Sequence, residues 1–133
     1  VFAEDAGAGY AMLARFREAA ARRKDGDPGA AIDIYETLAA DDSIESLYRD
    51  LAVLLSVMAQ ADTGDAKALS DRLAPLAAEG PWRHTAGEYL GLFALRQGDT
   101  ATARKRFEAI ADDAQAPQGA RQRAAELLQT LGK

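Results

Sequence analysis

His84 is the single histidine of the chain, Ser43, Ser46, Ser56 and Ser70 are its four serines, and there is no cysteine. These are the residues from which base-assisted nucleophilic chemistry would have to be built. Such chemistry needs a nucleophile held in an activating context, with the base in reach. None of the four serines stands in a strand–turn–helix elbow or a lysine-paired motif. His84 follows Trp82 and Arg83 at the expected start of a helix, and its role is read as structural or capping. Asp25, Asp27, Asp33 and Glu36 have a spacing that suggests a calcium loop. However, Ala30 replaces the required glycine, and Pro28-Gly29 offers no side-chain ligand. The stretch Ala31–Leu38 also has helical periodicity, which a wrapped loop cannot share. Without cysteine there is no disulfide, thiol chemistry or cysteine-bound zinc. Phosphate-loop, dinucleotide and metal-helix patterns are absent. The chain is read as non-catalytic, with no cofactor and no metal.

The charge balance narrows the partners. A net charge of −5 and a pI near 4.9 argue against nucleic acid, because phosphate binding needs a basic face. Arg22-Arg23-Lys24 and Arg104-Lys105-Arg106 lie beside acidic neighbours and read as solvated helix faces. The most apolar run, Leu51 to Met58, is too short to cross a bilayer, so no direct membrane contact is expected of these residues.

The elements that carry these residues are helices. The 133 residues include 31 alanines, against only 7 valines and isoleucines together. Abundant alanine, leucine, glutamate and arginine favour helix, and scarce β-branching argues against sheet. The dipeptide Gly-Asp recurs at Gly26-Asp27, Gly64-Asp65 and Gly98-Asp99. A glycine past a helix end tolerates the left-handed conformation that closes it. The following aspartate can cap the next helix. Recurrence at intervals of 38 and 34 residues points to helical hairpins repeated in tandem.

The expected organisation is a single all-α domain, a right-handed α-α superhelix of tetratricopeptide-like hairpins with a C-terminal capping helix. Residues 1–6 form the tail of a truncated repeat, 7–42 repeat one, 43–80 repeat two, 81–115 repeat three and 116–133 the cap. Phe2-Ala3-Glu4-Asp5 resembles the closes at Leu38, Leu76 and Ile110, so the chain is expected to begin halfway through a repeat. The first helix should start near Gly7, with Tyr10, Leu13, Phe16 and Ala20 on one face. Pro28 suits a first helical position. Ser43 is the expected N-cap of a helix over Ile44–Ala61. Pro75 should kink or end its helix. Trp82 should cover the junction of repeats two and three, and Gly91 should mark a close helix crossing. The final helix should run from about Pro117 to Leu131 with Ala124, Leu127, Leu128 and Leu131 inward.

Residues 84–117 resemble a tetratricopeptide repeat in Leu90-Gly91, Ala103 and Phe107. Gly87 replaces the usual Trp, Ala94 the usual Tyr, and Pro117 comes late. A resemblance covering almost the whole chain lies in Leu47-Tyr48-Arg49-Asp50-Leu51-Ala52, Arg72-Leu73-Ala74-Pro75-Leu76-Ala77 and Pro81-Trp82-Arg83-His84. These look like a bacterial family of tetratricopeptide-like membrane proteins similar to the ancillary subunit of the Sec translocon. The resemblance implies a single-pass inner-membrane protein with a periplasmic repeat domain, its anchor upstream of Val1. It implies partners such as the translocon or a periplasmic chaperone. A soluble cytoplasmic scaffold and an accessory domain of an enzyme are the alternatives.

Repeat proteins of this type present their first helices along a binding face. Leu13, Phe16, Arg23, Glu88, Leu92 and Arg96 are the expected protein-binding residues, with burial the competing role for Phe16 and Leu92. The absence of asparagine excludes the asparagine-lysine clamp for a peptide carboxylate. An uncovered first helix around Phe16 is also expected to pair with a second copy of the chain.

Overall fold

A computed structural model describes residues 2–132, with side chains from residue 7 onward. Seven helices and no strand occur among the described residues, so the chain is all-α. It forms two compact units, residues 1–62 and 63–133. The boundary falls inside the stretch expected as repeat two, giving its first helix to one unit and its second to the other.

The first unit holds α1 (Phe2–Lys24), α2 (Pro28–Ala39) and α3 (Ser46–Ala59). The start expected near Gly7 is not where α1 begins: the helix already runs from Phe2 through Gly7 and Gly9. Each glycine costs a helix about 1 kcal/mol, but Ala6, Ala8 and Ala11 around them are strong helix formers. Gly26 turns the corner after α1 with φ 87°, and the Asp27 side chain accepts a bond from Ala30 N–H to cap α2. α2 packs against both α1 and α3. The core combines small and large side chains: Ala19, Ala31 and Ala52 are fully buried beside Tyr35 and Leu38, with Met12 and Phe16 packed against them. Alanine at these positions lets the helix backbones approach while the larger residues fill the space between.

Ser43 does not cap α3. The helix starts at Ser46 after Glu45, which makes no side-chain cap bond. Ser43 instead donates its N–H (2.9 Å) and its hydroxyl (2.5 Å) to the same Asp41 carboxylate oxygen. Asp41 competes successfully for the hydroxyl because the two-residue separation makes a local turn.

The second unit holds α4 (Ala66–Ala78), α5 (Arg83–Arg96), α6 (Thr100–Ala111) and α7 (Gln118–Leu131). Each helix packs on the next, and α5 also touches α7. Asp65 and Asp99 cap α4 and α6 by accepting bonds from Ala68 and Thr102 N–H. Gly98 closes α5 with φ 78°, whereas Gly64 does not adopt a left-handed conformation. Pro75 does not end α4, which continues to Ala78. Pro75 and Asp71 are both exposed, so water can satisfy the Asp71 carbonyl that the proline cannot. On α4, Leu69, Leu73 and Leu76 are buried as the periodicity indicates. Phe107, Ile110, Ala103, Ala120 and Ala124 form the core that joins α6 and α7, flanked by Leu127, Leu128 and Leu131.

Candidate functional site

The six residues expected at a binding face fall into two sets of three. Leu13, Phe16 and Arg23 are on α1 in the first unit, and Glu88, Leu92 and Arg96 are on α5 in the second. Within each set their surroundings differ.

On α1, Leu13 is 45% exposed. It lines an open cleft of about 780 Å³, of mixed apolar and polar lining, bounded by the first half of α1 and by Ser43, Ile44, Glu45 and Tyr48. Phe16 is half-buried against the core, its ring 6.2 Å from that of Tyr35 in a tilted arrangement. Burial raises the Tyr35 phenol above its ordinary pKa, with Arg23 partly offsetting it. Arg23 uses its guanidinium to bond the Met58 carbonyl at 3.3 Å. That bond fastens the end of α1 to the end of α3.

On α5, Glu88, Leu92 and Arg96 are spaced four apart and so follow one helical stripe. The Glu88 carboxylate receives two bonds from the Arg123 guanidinium, at 3.0 and 2.9 Å. This fork-to-carboxylate geometry holds α7 against α5. The hydrogen bonds and negative charge of Glu88 raise the Arg123 pKa still further. Leu92 and Leu127 line a shallow groove of about 440 Å³ between α5 and α7, with the Glu88–Arg123 pair, Glu126 and Thr130 around it. Arg96 does not join the groove lining; it donates to the Gly64 carbonyl at 2.7 Å, which ties the end of α5 to the loop before α4.

His84 lies 2.8 Å through Nε2 from Asp113 Oδ2. Asp113 Oδ1 accepts the Gln115 N–H, and Arg83 bonds the Gln115 side chain. The His84 hydrogen bond, then that of Gln115, holds the Asp113 carboxyl below its ordinary pKa. The cluster clasps the α6–α7 loop to the start of α5. Asp33 and Glu36, half of the calcium-like spacing, stand on the continuous helix α2. Glu36 accepts the hydroxyl of the fully buried Ser56 at 2.7 Å. Among the described residues no three His, Asp or Glu side chains converge on a point that could hold a metal. No helix is long and apolar enough to cross a membrane among them.

Two contributors escape a reading of periodicity. Helical spacing places Arg123 on the polar outer face of the last helix, yet it forms one wall of the groove. Tyr10, expected on one face of α1 with Leu13, Phe16 and Ala20, is 75% exposed, whereas Phe16 is half-buried. Comparison with protein-family models, curated proteins and solved structures finds no match to the chain.

Proposed function

We propose that this chain is a non-catalytic protein-interaction module, built of tetratricopeptide-like helical hairpins and working in the periplasm as part of a bacterial inner-membrane protein that assists secretory translocation. The observation that carries the binding role is the α5–α7 groove. Its leucines, Leu92 and Leu127, are half-buried rather than sealed, and a bidentate ion pair fixes the spacing of the helices that bear them. A groove held open in this way has little reorganisation to undergo when a ligand arrives. Glu88 and Glu126 outnumber Arg123 around it, and the chain carries net negative charge. The fitting occupant is a segment of another protein that inserts an apolar side chain and carries a basic residue beside it. The placement at the envelope rests on the resemblance to the translocon-ancillary family, with a partner such as the translocon or a periplasmic chaperone.

Photo-crosslinking tests this reading. A benzophenone amino acid replaces Leu92 or Leu127 in the full-length protein in its native cells, with Ala101, exposed on the outside of α6, as control. Discrete adducts to an envelope protein at the two leucine positions, absent at Ala101, are the expected result. Adducts of equal yield at all three positions, or none at the groove, overturn the groove. Adducts only to cytosolic proteins overturn the envelope placement.

A further inference from the structure

We propose that the α1–α3 cleft of the first unit is a homotypic docking site, filled by the Tyr10–Leu13 ridge of a second copy of this chain about a two-fold axis. The exposed large apolar side chains among the described residues are Tyr10 (75%), Leu13 (45%) and Leu47 (38%). Tyr10 and Leu13 line the open cleft, and Leu47 is at the start of α3. Scattered single apolar residues are ordinary on a protein surface, but a cluster at a cleft marks an association face.

The face contains both a projection and a hollow. Tyr10 and Leu13 stand one helical turn apart as a ridge, and the hollow beside them is walled on its far side by Ile44 and Tyr48. A surface that bears complementary knob and hole side by side can satisfy itself under two-fold rotation, the isologous arrangement. Nothing approaches within 4 Å of a Cβ built at Gly7 or Gly9, so another helix has room to lie along this part of α1.

Charge selects the same occupant. Arg17 is exposed and continues the Tyr10–Leu13 stripe at i+7. Glu45 lines the opposite wall, and Asp42 beside it is 97% exposed, its ion pair with Arg49 at 3.4 Å notwithstanding. When two α1 helices cross antiparallel at Tyr10, Arg17 of each copy runs toward the start of the other copy's α3. There it meets Glu45 and Asp42. Apolar insertion supplies the attraction, and the paired charges fix the direction. This inference is independent of the α5–α7 groove, which lies in the other unit.

Sedimentation equilibrium of the 133-residue chain from micromolar to millimolar concentration gives the test. A monomer–dimer equilibrium is expected. Leu13→Glu and Tyr10→Glu should each weaken it at least about tenfold, equivalent to about 1.4 kcal/mol. Both residues are exposed, so circular dichroism should be unchanged and loss of dimer reads as loss of the interface. Arg17→Glu should weaken the dimer, and adding Glu45→Arg should restore it. Ala101→Glu, at an exposed position of α6, should leave it intact. A chain that stays monomeric at millimolar concentration overturns the proposal, as does a dimer indifferent to Leu13→Glu. A monomer whose Tyr10 and Tyr48 resonances shift when an unrelated amphipathic helical peptide is titrated in also overturns it, and assigns the cleft to a foreign helix.

Discussion

A side chain at Gly91 would collide with Phe107: a Cβ built on Gly91 falls 2.5 Å from Phe107 Cε1 and 2.8 Å from Cζ. Gly91 is on α5 and Phe107 on α6, both buried, and the ring lies flush against the glycine backbone. Phe107 is completely enclosed, so the ring has little space into which to retreat. Alanine normally favours a helix over glycine by about 1 kcal/mol. Here overpacking should cost about 1–3 kcal/mol and decide the sign. Gly91→Ala is therefore expected to lower the urea midpoint, and Gly91→Leu to lower it further. Phe107→Leu, made in the Gly91→Ala background, should recover part of the loss. A Gly91→Ala protein as stable as the parent would show that the ring moves aside freely.

Three corners with the same dipeptide should respond differently to substitution. Gly26 and Gly98 occupy left-handed conformations at φ 87° and 78°, and Gly64 does not. An L-residue forced into that region costs about 1–2 kcal/mol. Gly26→Ala and Gly98→Ala should each destabilise by about that amount, while Gly64→Ala should be nearly neutral. Asp65→Ala, which removes the cap on Ala68 N–H, should cost about 0.5–2 kcal/mol. Thermal melts of the four variants separate the role of the glycine from that of the aspartate. Equal losses at all three glycines would contradict the difference in backbone geometry.

The aspartate caps were legible because capping is local: Asp27, Asp65 and Asp99 each reach a backbone N–H three residues on. The all-α class and the inward leucines of α4 came from composition and period for the same reason. Gly64 misled because a recurring dipeptide does not fix its distance from the helix end. α3 stops at Ala59, with Gln60 as its C-cap, so the chain has already turned before Gly64 arrives. The groove was half legible. Glu88 and Leu92 follow from helical spacing, but Arg123 lies 35 residues from Glu88 and its role depends on how α7 docks. Arg23 and Arg96 had the exposure expected of binding residues, yet each is engaged by a carbonyl 35 or 32 residues away. Long-range bonds of that kind leave no trace in periodicity.

Acid should weaken the fold through three carboxylates. Asp41 is held below its ordinary pKa by Ser43, Asp99 by Thr102, and Asp113 by His84 and Gln115, in each case chiefly through a side-chain hydrogen bond. Between the lowered folded value and the ordinary value of about 4, the unfolded chain binds more protons. Stability contributed by these groups is thus present above about pH 4 and lost as pH falls through the folded values. The melting temperature should begin to drop below about pH 4. By carbon-detected NMR titration, Asp99 in Thr102→Val and Asp113 in His84→Ala should each titrate at higher pH than in the parent. Unchanged titration in both variants would remove the hydrogen bonds as the cause.

The Glu88–Arg123 pair should contribute modestly to stability and more to the spacing of the groove. The Glu88 side chain is 13% exposed and that of Arg123 58%, so solvent and salt screen one partner substantially. A double-mutant cycle with Glu88→Gln and Arg123→Ala should give a coupling of about 1 kcal/mol or less, smaller still in high salt. Arg123→Lys should not preserve it, since an ammonium cannot donate the two parallel bonds that the guanidinium makes to the carboxylate. The structural consequence should exceed the energetic one. With the fork removed, α7 remains anchored by Ala120, Ala124 and their neighbours in the α6–α7 core, but it loses the two-point bond that joins it to α5 at Glu88. Spin labels at Thr85 and Gln122, both exposed, should show a broader distance distribution in Arg123→Lys than in the parent, while the melting temperature changes little. An unchanged distribution would mean that packing at Leu92 and Leu127 already fixes the groove and that the ion pair is incidental to it.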